Sequence, residues 1–448
     1  MLIVLYGTLN PNFSLERNMN VFNRHFSAKH LSQYVMVALL LLLAPNSIFA
    51  ATYYVATDGK DTNSGSDLLP FQTIKRGLSA VSAGDTLYIR GGIYREGINS
   101  NSQTIPTGSS WTNAPVISGY SGEMVVLQPV GGAEVVNLAN PAIQYVVFNN
   151  LVLDAASLQR SCAAGYGCST GVSGYGGAHH VRFTNVEIKN AAGAGVLITR
   201  GSSDGVSSFE FIGCNIHHNG IEARDHGLYL TTSNNKVKNS KIHHNTGHGI
   251  HLYTGNPSIT IDNNVIDGNE IYSNALLSGS APGILVDYGS GNLVMNNIVT
   301  ANKNGIQVGN PFSATTTASN SKIYNNTVYN NMPGLGIDVF VSSSQADIKN
   351  NIVYKNGGTI GNKGSGTITS NNLVTDPKFV DEPNGNFKLQ ATSPAVNQGV
   401  IIAQVPFDIE GTTRPQLGTH DVGAYEYGSG TTDTVPPSQP VIRSVSTP

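Results

Sequence analysis

The sequence predicts an all-β solenoid, and three observations lead to this fold class. Only 12% of the 448 residues are charged and 50 residues are glycine, a composition unlike that of a helical bundle. A short apolar unit that closes on asparagine recurs through the middle of the chain. A second unit of four residues begins with glycine. Its copies alternate with copies of the first unit along the sequence, so each repeat contains one of each.

The two units predict strands because each alternates apolar with variable residues and is too short for a helix. The closing residues of the first unit, 24 to 33 residues apart, are Asn219, Asn245, Asn269, Asn302, Asn331 and Asn356. The second unit begins at Gly195, Gly227, Gly249, Gly283, Gly305 and Gly336. Strands that pair with their own copy one repeat later run parallel, which predicts a single right-handed parallel β-helix. The spacing is too short for a β-propeller, which needs about 40 or more residues per blade.

The first 50 residues are typical of a secretory signal peptide. Basic residues precede an apolar core at 35–43, and small residues follow it up to Ala50. A retained membrane anchor is the alternative, although the core is shorter than the roughly 20 residues that span a bilayer. We therefore expect a secreted protein, extracellular or periplasmic, that is monomeric and free of the membrane after signal cleavage.

The rest of the chain divides into three further segments. We expect a capping helix over 73–81 and a strand over 85–90, because an open solenoid end must be covered. The predicted boundaries are 51–96 for the N-terminal cap and first strands, 97–427 for the β-helix with its closing segment, and 428–448 for a linker.

Charge and cysteine content limit the partners and the covalent chemistry. The net charge of −3 provides no basic face for nucleic acid. Cys162 and Cys168 are close enough in sequence to close a surface loop as a disulfide in an exported protein, and free thiols are the alternative. Cys214 lies in an apolar repeat and is expected to be buried.

Segments 53–66, 70–74 and 84–94 resemble the N-terminal cap of secreted right-handed β-helix proteins, a group that includes family-nine pectate lyases and chondroitinase-B-like lyases. Segment 377–425 is similar to the closing segment of many such bacterial proteins. The resemblance implies a polysaccharide partner. Family-nine pectate lyases place several aspartates around a calcium ion near a strand of the type Asp-Asp-Gly-Phe-Asp. The corresponding residues 247–251 here are Gly-His-Gly-Ile-His, which lack those acids.

The strand register predicts where functional side chains lie on the surface. If Leu228, Leu230 and their equivalents point inward, the alternate residues point outward. One outward column is then Leu197, Tyr229, His251, Leu285, Gln307 and Asp338. The next column is Thr199, Thr231, Tyr253, Asp287, Gly309 and Phe340. Tyr229 lies beside His251 and Tyr253 beside Asp287, which predicts a compact patch of proton-transfer groups.

This patch suits β-elimination on a uronate, which needs a base, an acid and a group that neutralises the carboxylate. We expect His251 as the base and Tyr229 or Tyr253 as the acid, with Asp287 as a fourth catalytic residue. The predicted substrate-binding residues are Arg200, Arg224, Asp225, His226, Gln307 and Asp338, and either arginine can neutralise the carboxylate.

No metal and no cofactor is predicted, with calcium as the alternative. Asp225, Asp287 and Asp338 are two rungs apart in turn, roughly 10 Å, which one calcium ion cannot bridge. A second cluster, His217, His218, His243 and His244, repeats in register. Stacked turn residues explain that repeat, and a metal site is the alternative.

The leading functional hypothesis is a polysaccharide lyase that acts on an acidic glycan. A non-catalytic carbohydrate-binding or cell-surface structural protein is the first alternative, because aromatic and amide side chains bind sugars without chemistry. A glycoside hydrolase that uses Asp225 with Asp287, or a uronan epimerase, is the second alternative.

Overall fold

The computed structural model describes residues 50–158, 169–199, 205–254, 256, 259–277, 279, 281–313, 315 and 317–428. The predicted signal peptide before Ala50, the candidate disulfide cysteines Cys162 and Cys168, Arg200 and nearly all of the predicted linker lie outside these residues.

The described residues form a coil that passes repeatedly through three long parallel sheets, here called sheets 1, 2 and 3. Sheet 1 has 12 strands: Thr52–Val55, Thr86–Ile89, Val116–Gly119, Gln144–Asn149, His179–Thr184, Glu210–Ile212, Lys236–Lys238, Val265–Asp267, Leu293–Met295, Lys322–Tyr324, Asp347–Lys349 and Ile368–Ser370. Each strand pairs in parallel with the next strand of its sheet, so each coil lies directly on the one before it.

Sheets 2 and 3 have 10 strands each. Sheet 2 contains Ile98–Asn99, Glu134–Leu138, Thr170–Gly174, Val196–Ile198, Leu228–Leu230, Ile250–Leu252, Pro282–Val286, Asn304–Val308, Leu335–Val339 and Gly358–Asn362. Sheet 3 contains Gly92–Tyr94, Val125–Leu127, Val152–Asp154, Glu187–Lys189, Asn215–His217, Lys241–His243, Glu270–Tyr272, Ile298–Thr300, Thr327–Tyr329 and Ile352–Tyr354. This arrangement confirms the predicted all-β parallel β-helix.

The remaining elements are short. The helix Ile74–Ala80, α1, begins after Thr73, whose hydroxyl accepts a hydrogen bond from the Arg76 backbone N–H at 3.1 Å. It packs on the first two strands of sheet 1 and matches the predicted 73–81 to within one residue at each end. The others are the 3-10 turns Trp111–Asn113 and Glu382–Asn384, the strands Gly289–Ser290, Ala318–Ser319 and Ser343–Ser344, and the antiparallel pair Phe379–Asp381 and Asn386–Leu389. Among the described residues, every helix is too short or too polar to cross a bilayer.

The core is a stack of apolar side chains that repeats from coil to coil. The predicted inward residues of sheet 2, which include Leu228, Leu230, Ile250 and Leu252, are completely buried. In sheet 1 the rings of Phe148, Phe183 and Phe211 stack at 5.0 and 5.2 Å. Because the inward positions are fixed in this way, the alternate residues of each strand are held on the outer surface.

Asparagines join the coils at the corners between sheets, and all of them are buried except Asn356 and Asn372, which are half-buried at the ends of their ladders. One ladder consists of Asn219, Asn245, Asn274, Asn302, Asn331 and Asn356, in which each side-chain N–H donates to the next side-chain oxygen at 2.9–3.1 Å. A second ladder contains Asn269, Asn297, Asn326, Asn351 and Asn372, with the same bonds at 2.9–3.0 Å. Each ladder oxygen also accepts the backbone N–H of the preceding asparagine, for example Asn274 to Asn302 at 3.0 Å. The ladders therefore satisfy buried backbone groups at turns that water cannot reach.

The structure corrects one step in the alignment of the repeats. Asn264–Asn269 was aligned with units of sheet 3, but its strand Val265–Asp267 belongs to sheet 1, and the true sheet 3 unit closes at Asn274. The error arises because two ladders lie only five residues apart here, and both sheet 1 and sheet 3 strands are flanked by asparagine. With Asn274 in place, the intervals of the first ladder become 25 to 29 residues.

The repeated glycines mark a second close contact between coils. A Cβ on Gly195, Gly227 or Gly249 would lie 2.6–2.8 Å from the carbonyl oxygen of the next glycine in the column. No side chain fits in that space, so these positions require glycine. These glycines directly precede the sheet 2 strands that carry the outward-facing columns.

We expect Asn302→Ala to lower the free energy of unfolding by at least about 2 kcal/mol, because it leaves buried partners on both adjacent coils without hydrogen bonds. Chemical denaturation followed by circular dichroism measures this. Asn101→Ala, which removes an exposed asparagine, is the matched control. Equal midpoints for the two variants would contradict a stabilising role of the ladder.

Candidate functional site

The register of sheet 2 brings the predicted columns together as expected. Leu197 pairs with Tyr229, Tyr229 with His251, His251 with Leu285, and the column continues through Gln307 to Asp338. In the second column, the Tyr253 and Asp287 backbone N–H groups bond to Leu230 and Leu252 of the preceding coils. The predicted arrangement of Tyr229, His251, Tyr253 and Asp287 as neighbours is therefore observed.

Aromatic rings cover the outer side of this region, which we call the tyrosine patch: Tyr229, Tyr253 and Tyr288. The rings of Tyr229 and Tyr253 both stack on His251 at 5.2 Å, and Tyr288 meets Tyr253 edge to face at 5.5 Å. The three tyrosines are partly exposed, whereas His251 is only 8% exposed. The phenols are thus the groups that a ligand on this face would meet first.

Beneath the patch, His226 and His251 are joined by a hydrogen bond, and Asp287 lies next to His251. The backbone N–H of His248 donates to His226 Nδ1 at 3.0 Å. His226 Nε2 lies 3.1 Å from His251 Nδ1, and His251 Nε2 lies 3.5 Å from Asp287 Oδ2. Since the backbone amide can only donate, His226 Nδ1 must be the acceptor, and its proton is on Nε2. In the neutral form His251 then accepts at Nδ1 and carries its proton on Nε2, a buried atom without a hydrogen-bond partner that lies 3.5 Å from Asp287 Oδ2.

Burial favours the neutral forms of these groups. It lowers the pKa of His251 to about 3 and raises the pKa of Asp287 to about 7. Burial, with the neighbouring imidazoles His248 and His251, also holds the pKa of His226 well below its ordinary value. Attraction between His251 and Asp287 would shift both pKa values the other way, but at 3.5 Å in this buried setting the loss of hydration outweighs it. Asp287 therefore changes charge near neutral pH while the histidines stay neutral.

The three histidines also lie within reach of one ion, because single ring nitrogens of His226, His248 and His251 are all within 4.8 Å of one another. A metal ligand needs a free lone pair on one nitrogen and a proton on the other. His226 cannot meet both conditions, since Nδ1 already accepts the His248 amide and Nε2 must then keep the proton. The hydrogen bonds of the structure thus favour a hydrogen-bonded histidine pair over a metal centre, and imidazoles are in any case poor ligands for calcium.

The other predicted binding residues are more widely spread. Arg224 is exposed on the turn before His226, and Asp225 Oδ2 accepts the backbone N–H groups of Ile221 and Glu222 at 3.0 and 2.8 Å. Gln307 and Asp338 are two and three rungs beyond His251, roughly 10 and 14 Å along the outer face of sheet 2. His226 is 5% exposed and lies beneath the tyrosine patch. Arg200 is outside the described residues.

Two residues of the site were not predicted from the sequence as members of the patch. His248 supplies the amide that orients His226, and its ring packs 4.6 Å from both His226 and His251. Tyr288 extends the tyrosine patch. Both lie at strand ends, where alternation no longer tells which way a side chain points. The parallel strings His226-Gly227 and His248-Gly249 were the available signal for His248.

The chain matches the sequence family described as "Right handed beta helix region" at residues 147–317 and 268–374. These matches together span just over half of the chain, so the protein belongs to this family of right-handed β-helix proteins. Its fold is pectate-lyase-like. The pectate lyase Pel9A superposes with a TM-score of 0.62 over 84% of this chain and 96% of that chain, at 15% identity.

Further comparisons agree on the fold. A rhamnogalacturonan lyase superposes with a TM-score of 0.52 over 77% of this chain and 96% of that chain, at 14% identity. Pectate lyase PEL9 of Emericella nidulans is 37% identical over 82 residues, which is 18% of this chain. That match covers 19% of the relative's length. The structural likenesses concern the fold.

We expect Asp287→Asn to change the pH dependence of stability. The folded protein holds a proton on Asp287 up to about pH 7, whereas the unfolded chain releases it near its ordinary pKa of 3.8, so the wild type loses stability as pH rises between these values. The variant lacks this loss. Its melting temperature should therefore rise relative to wild type from about pH 4 to about pH 7 and stay level above that. Asp376→Asn, an exposed carboxylate, controls for net charge, and parallel behaviour of the two variants would contradict the buried acid.

Proposed function

We propose that the protein is a secreted polysaccharide lyase that cleaves a uronate-containing glycan by β-elimination at the tyrosine patch. The observation that carries the proposal is the pairing of partly exposed phenols, Tyr229 and Tyr253, with the buried His251–Asp287 pair directly beneath them. The pectate-lyase-like fold and the short match to a pectate lyase support a polysaccharide substrate.

The His251–Asp287 pair is the proposed base. Asp287 Oδ1 is buried without a hydrogen-bond partner, and Oδ2 lies 3.5 Å from His251 Nε2, so Oδ1 is the oxygen proposed to accept the proton from C5 of the uronate. The side chains of His251 and Asp287 are 11% and 6% exposed, and the rings of Tyr229 and Tyr253 stack 6.1 Å apart, so these rings must move aside for the reacting carbon to reach the base. His226 holds the tautomer of His251 from behind. This assignment keeps His251 in the base but makes Asp287 the proton acceptor.

A phenol of the patch is the proposed acid. When the C5–H electrons form the C4–C5 double bond, the C4–O bond breaks and its oxygen takes a proton from Tyr229 or Tyr253. Tyr229 and Tyr253 are partly exposed proton donors, and both of their rings stack on His251. Arg224 on the adjacent turn, or Arg200, neutralises the uronate carboxylate and stabilises the enolate-like charge.

The charge of the outer face of sheet 2 limits the substrate further. Neither outward column contains lysine or arginine across the eight rungs from Asn137 to Asp338, and the columns contain the acids Asp287 and Asp338. A polymer with a carboxylate on every sugar would find no positive charge on these strands. The proposed substrate therefore has sparse carboxylates, for example uronates that alternate with neutral sugars.

Export and the two alternatives complete the proposal. The leader within residues 1–50 directs the protein outside the cell, where its glycan is found, and the protein acts as a monomer. Hydrolysis would need a second carboxyl group at about 5–10 Å, and the candidate Asp225 has one oxygen held by its own turn. Binding without chemistry is the remaining competitor, since tyrosine rings alone bind sugars.

Incubation with chondroitin or another polymer of alternating uronates should produce the ultraviolet absorbance of unsaturated uronate ends, whereas pectate and alginate, with a carboxylate on every sugar, should produce less. Tyr229→Phe, His251→Ala and Asp287→Asn should each abolish most of the activity, while Tyr354→Phe on sheet 3 should retain it. The rate should rise with pH through about 7, because Asp287 must be ionised to accept a proton. EDTA should have little effect.

Retained binding with no new absorbance on any polymer would favour the non-catalytic alternative. A fully active His251→Ala or Asp287→Asn would remove the proposed base.

Gln307→Lys places a cation in the charge-free column two rungs from His251. We expect this variant to bind polygalacturonate about fivefold more tightly at low salt, the effect of roughly 1 kcal/mol of ion pairing in water. Added salt should weaken this gain. Gln307→Met is the neutral control. Equal binding by the lysine and methionine variants would show that carboxylates do not approach this column.

A further inference from the structure

Two histidine pairs on the outer face of sheet 3 form a separate cluster, here called the histidine ridge: His217, His218, His243 and His244. His217 pairs in register with His243, and their rings stack at 4.9 Å with planes 5° apart. The rings of His218 and His244 stack at 5.2 Å with planes 2° apart. The ridge therefore presents two equivalent pairs of imidazoles on successive coils.

Within each pair the two Nδ1 atoms face each other. They are 2.7 Å apart in His217–His218 and 2.8 Å apart in His243–His244. The second histidine of each pair has a left-handed backbone, with φ of 54° and 53°, which places its ring edge-on to the first. The backbone, and not a flexible side chain alone, thus sets the distance between the two nitrogens.

Neighbouring groups leave these nitrogens available as ligands. His217 Nε2 lies 3.2 Å from the Glu187 carboxylate, and His243 Nε2 lies 3.0 Å from the Asn215 side-chain oxygen. Both Nε2 atoms therefore carry protons, and the Nδ1 atoms of His217 and His243 accept hydrogen bonds from the Nδ1–H of His218 and His244, so a metal ion would replace that bridging proton. His218 is exposed, so its proton can move from Nδ1 to Nε2 through solvent. A histidine that donates its other N–H to a carboxylate is the usual arrangement of a metal ligand.

We propose that the histidine ridge binds one Cu²⁺ or Ni²⁺ ion through the two Nδ1 atoms of a pair. Two nitrogens at about 2.0 Å from a metal and at a right angle to each other are about 2.8 Å apart, the geometry of square-planar and octahedral sites. A tetrahedral zinc site needs a wider separation, about 3.3 Å. The 2.7–2.8 Å separation of the hydrogen-bonded nitrogens is closer to the distance that Cu²⁺ and Ni²⁺ need than to the distance that Zn²⁺ needs.

The spacing of the coils limits the ridge to a single tight ion. Two ions, one on each pair, would be about 5 Å apart. Their repulsion lowers the affinity for the second ion by roughly a hundredfold even in water. One ion cannot engage all four nitrogens, because the rings are stacked 4.9–5.2 Å apart. The pair His217–His218 is preferred, since Glu187 lies behind it.

The ridge lies on a different sheet from the tyrosine patch, and it remains open. Farther along sheet 3, Tyr329 and Tyr354 are covered by the closing segment through Phe379, Phe387 and Val422. His218, by contrast, is exposed. The binding of an ion here is independent of the proposed lyase activity.

Isothermal titration calorimetry of the full chain with CuCl₂, NiCl₂ and ZnCl₂ tests the proposal. We expect one tight Cu²⁺ per chain, with Ni²⁺ bound more tightly than Zn²⁺, and nitrogen hyperfine splitting in the Cu²⁺ electron paramagnetic resonance spectrum. The double variant His218→Ala/His244→Ala should lose at least about tenfold in affinity. These side chains lie at turns on the surface, and circular dichroism checks that the variant folds.

The matched control is His179→Ala/His180→Ala. The Nδ1 atoms of His179 and His180 are also 2.8 Å apart. The His180 ring, however, packs against Trp111 and Tyr145, and the Arg182 guanidinium lies over Trp111. The control should bind Cu²⁺ as the wild type does. Unchanged Cu²⁺ affinity in His218→Ala/His244→Ala, or tighter binding of Zn²⁺ than of Ni²⁺, would overturn the proposal.

Discussion

Hydrogen bonds between buried asparagines of successive coils are the constraint on which the other features depend. Each ladder side chain contacts the coil before it and the coil after it, so a slip of one residue would leave several buried groups without partners. The same register aligns Tyr229 with His251 and His217 with His243. Both surface clusters are consequences of an alignment that is decided in the interior.

The proposed active site combines groups with opposite requirements. The tyrosines must reach a sugar, whereas Asp287 needs to be buried for its pKa to lie near neutrality. A β-helix meets both needs within one sheet, because the phenols stand on the outer face while the turns beside it bring His226 and His248 underneath. The glycine contacts that precede each strand allow the coils to approach closely enough for the imidazoles to bond across rungs.

The sequence was most informative where strands alternate, and least informative at their ends. The inward leucines and isoleucines identified the outward columns, and these were observed as predicted for Tyr229, His251 and Gln307. The contact of His251 with Asp287 crosses from one column to the other, which alternation alone does not describe. The roles of His248 and Tyr288 depend on turn geometry. The misplaced Asn269 unit had the same origin, since two corners with the same residue pattern lie five residues apart.

Since each coil meets only the coil above and the coil below, the outer face of sheet 2 has no fixed length. Whole coils can be gained or lost beyond Asp338, or before Leu197, without moving Tyr229, His251 or Asp287 relative to one another. Duplication of a coil would thus lengthen the surface that holds a polymer by about 4.8 Å at a time. In such an architecture the number of sugars bound can evolve separately from the bond that is cut.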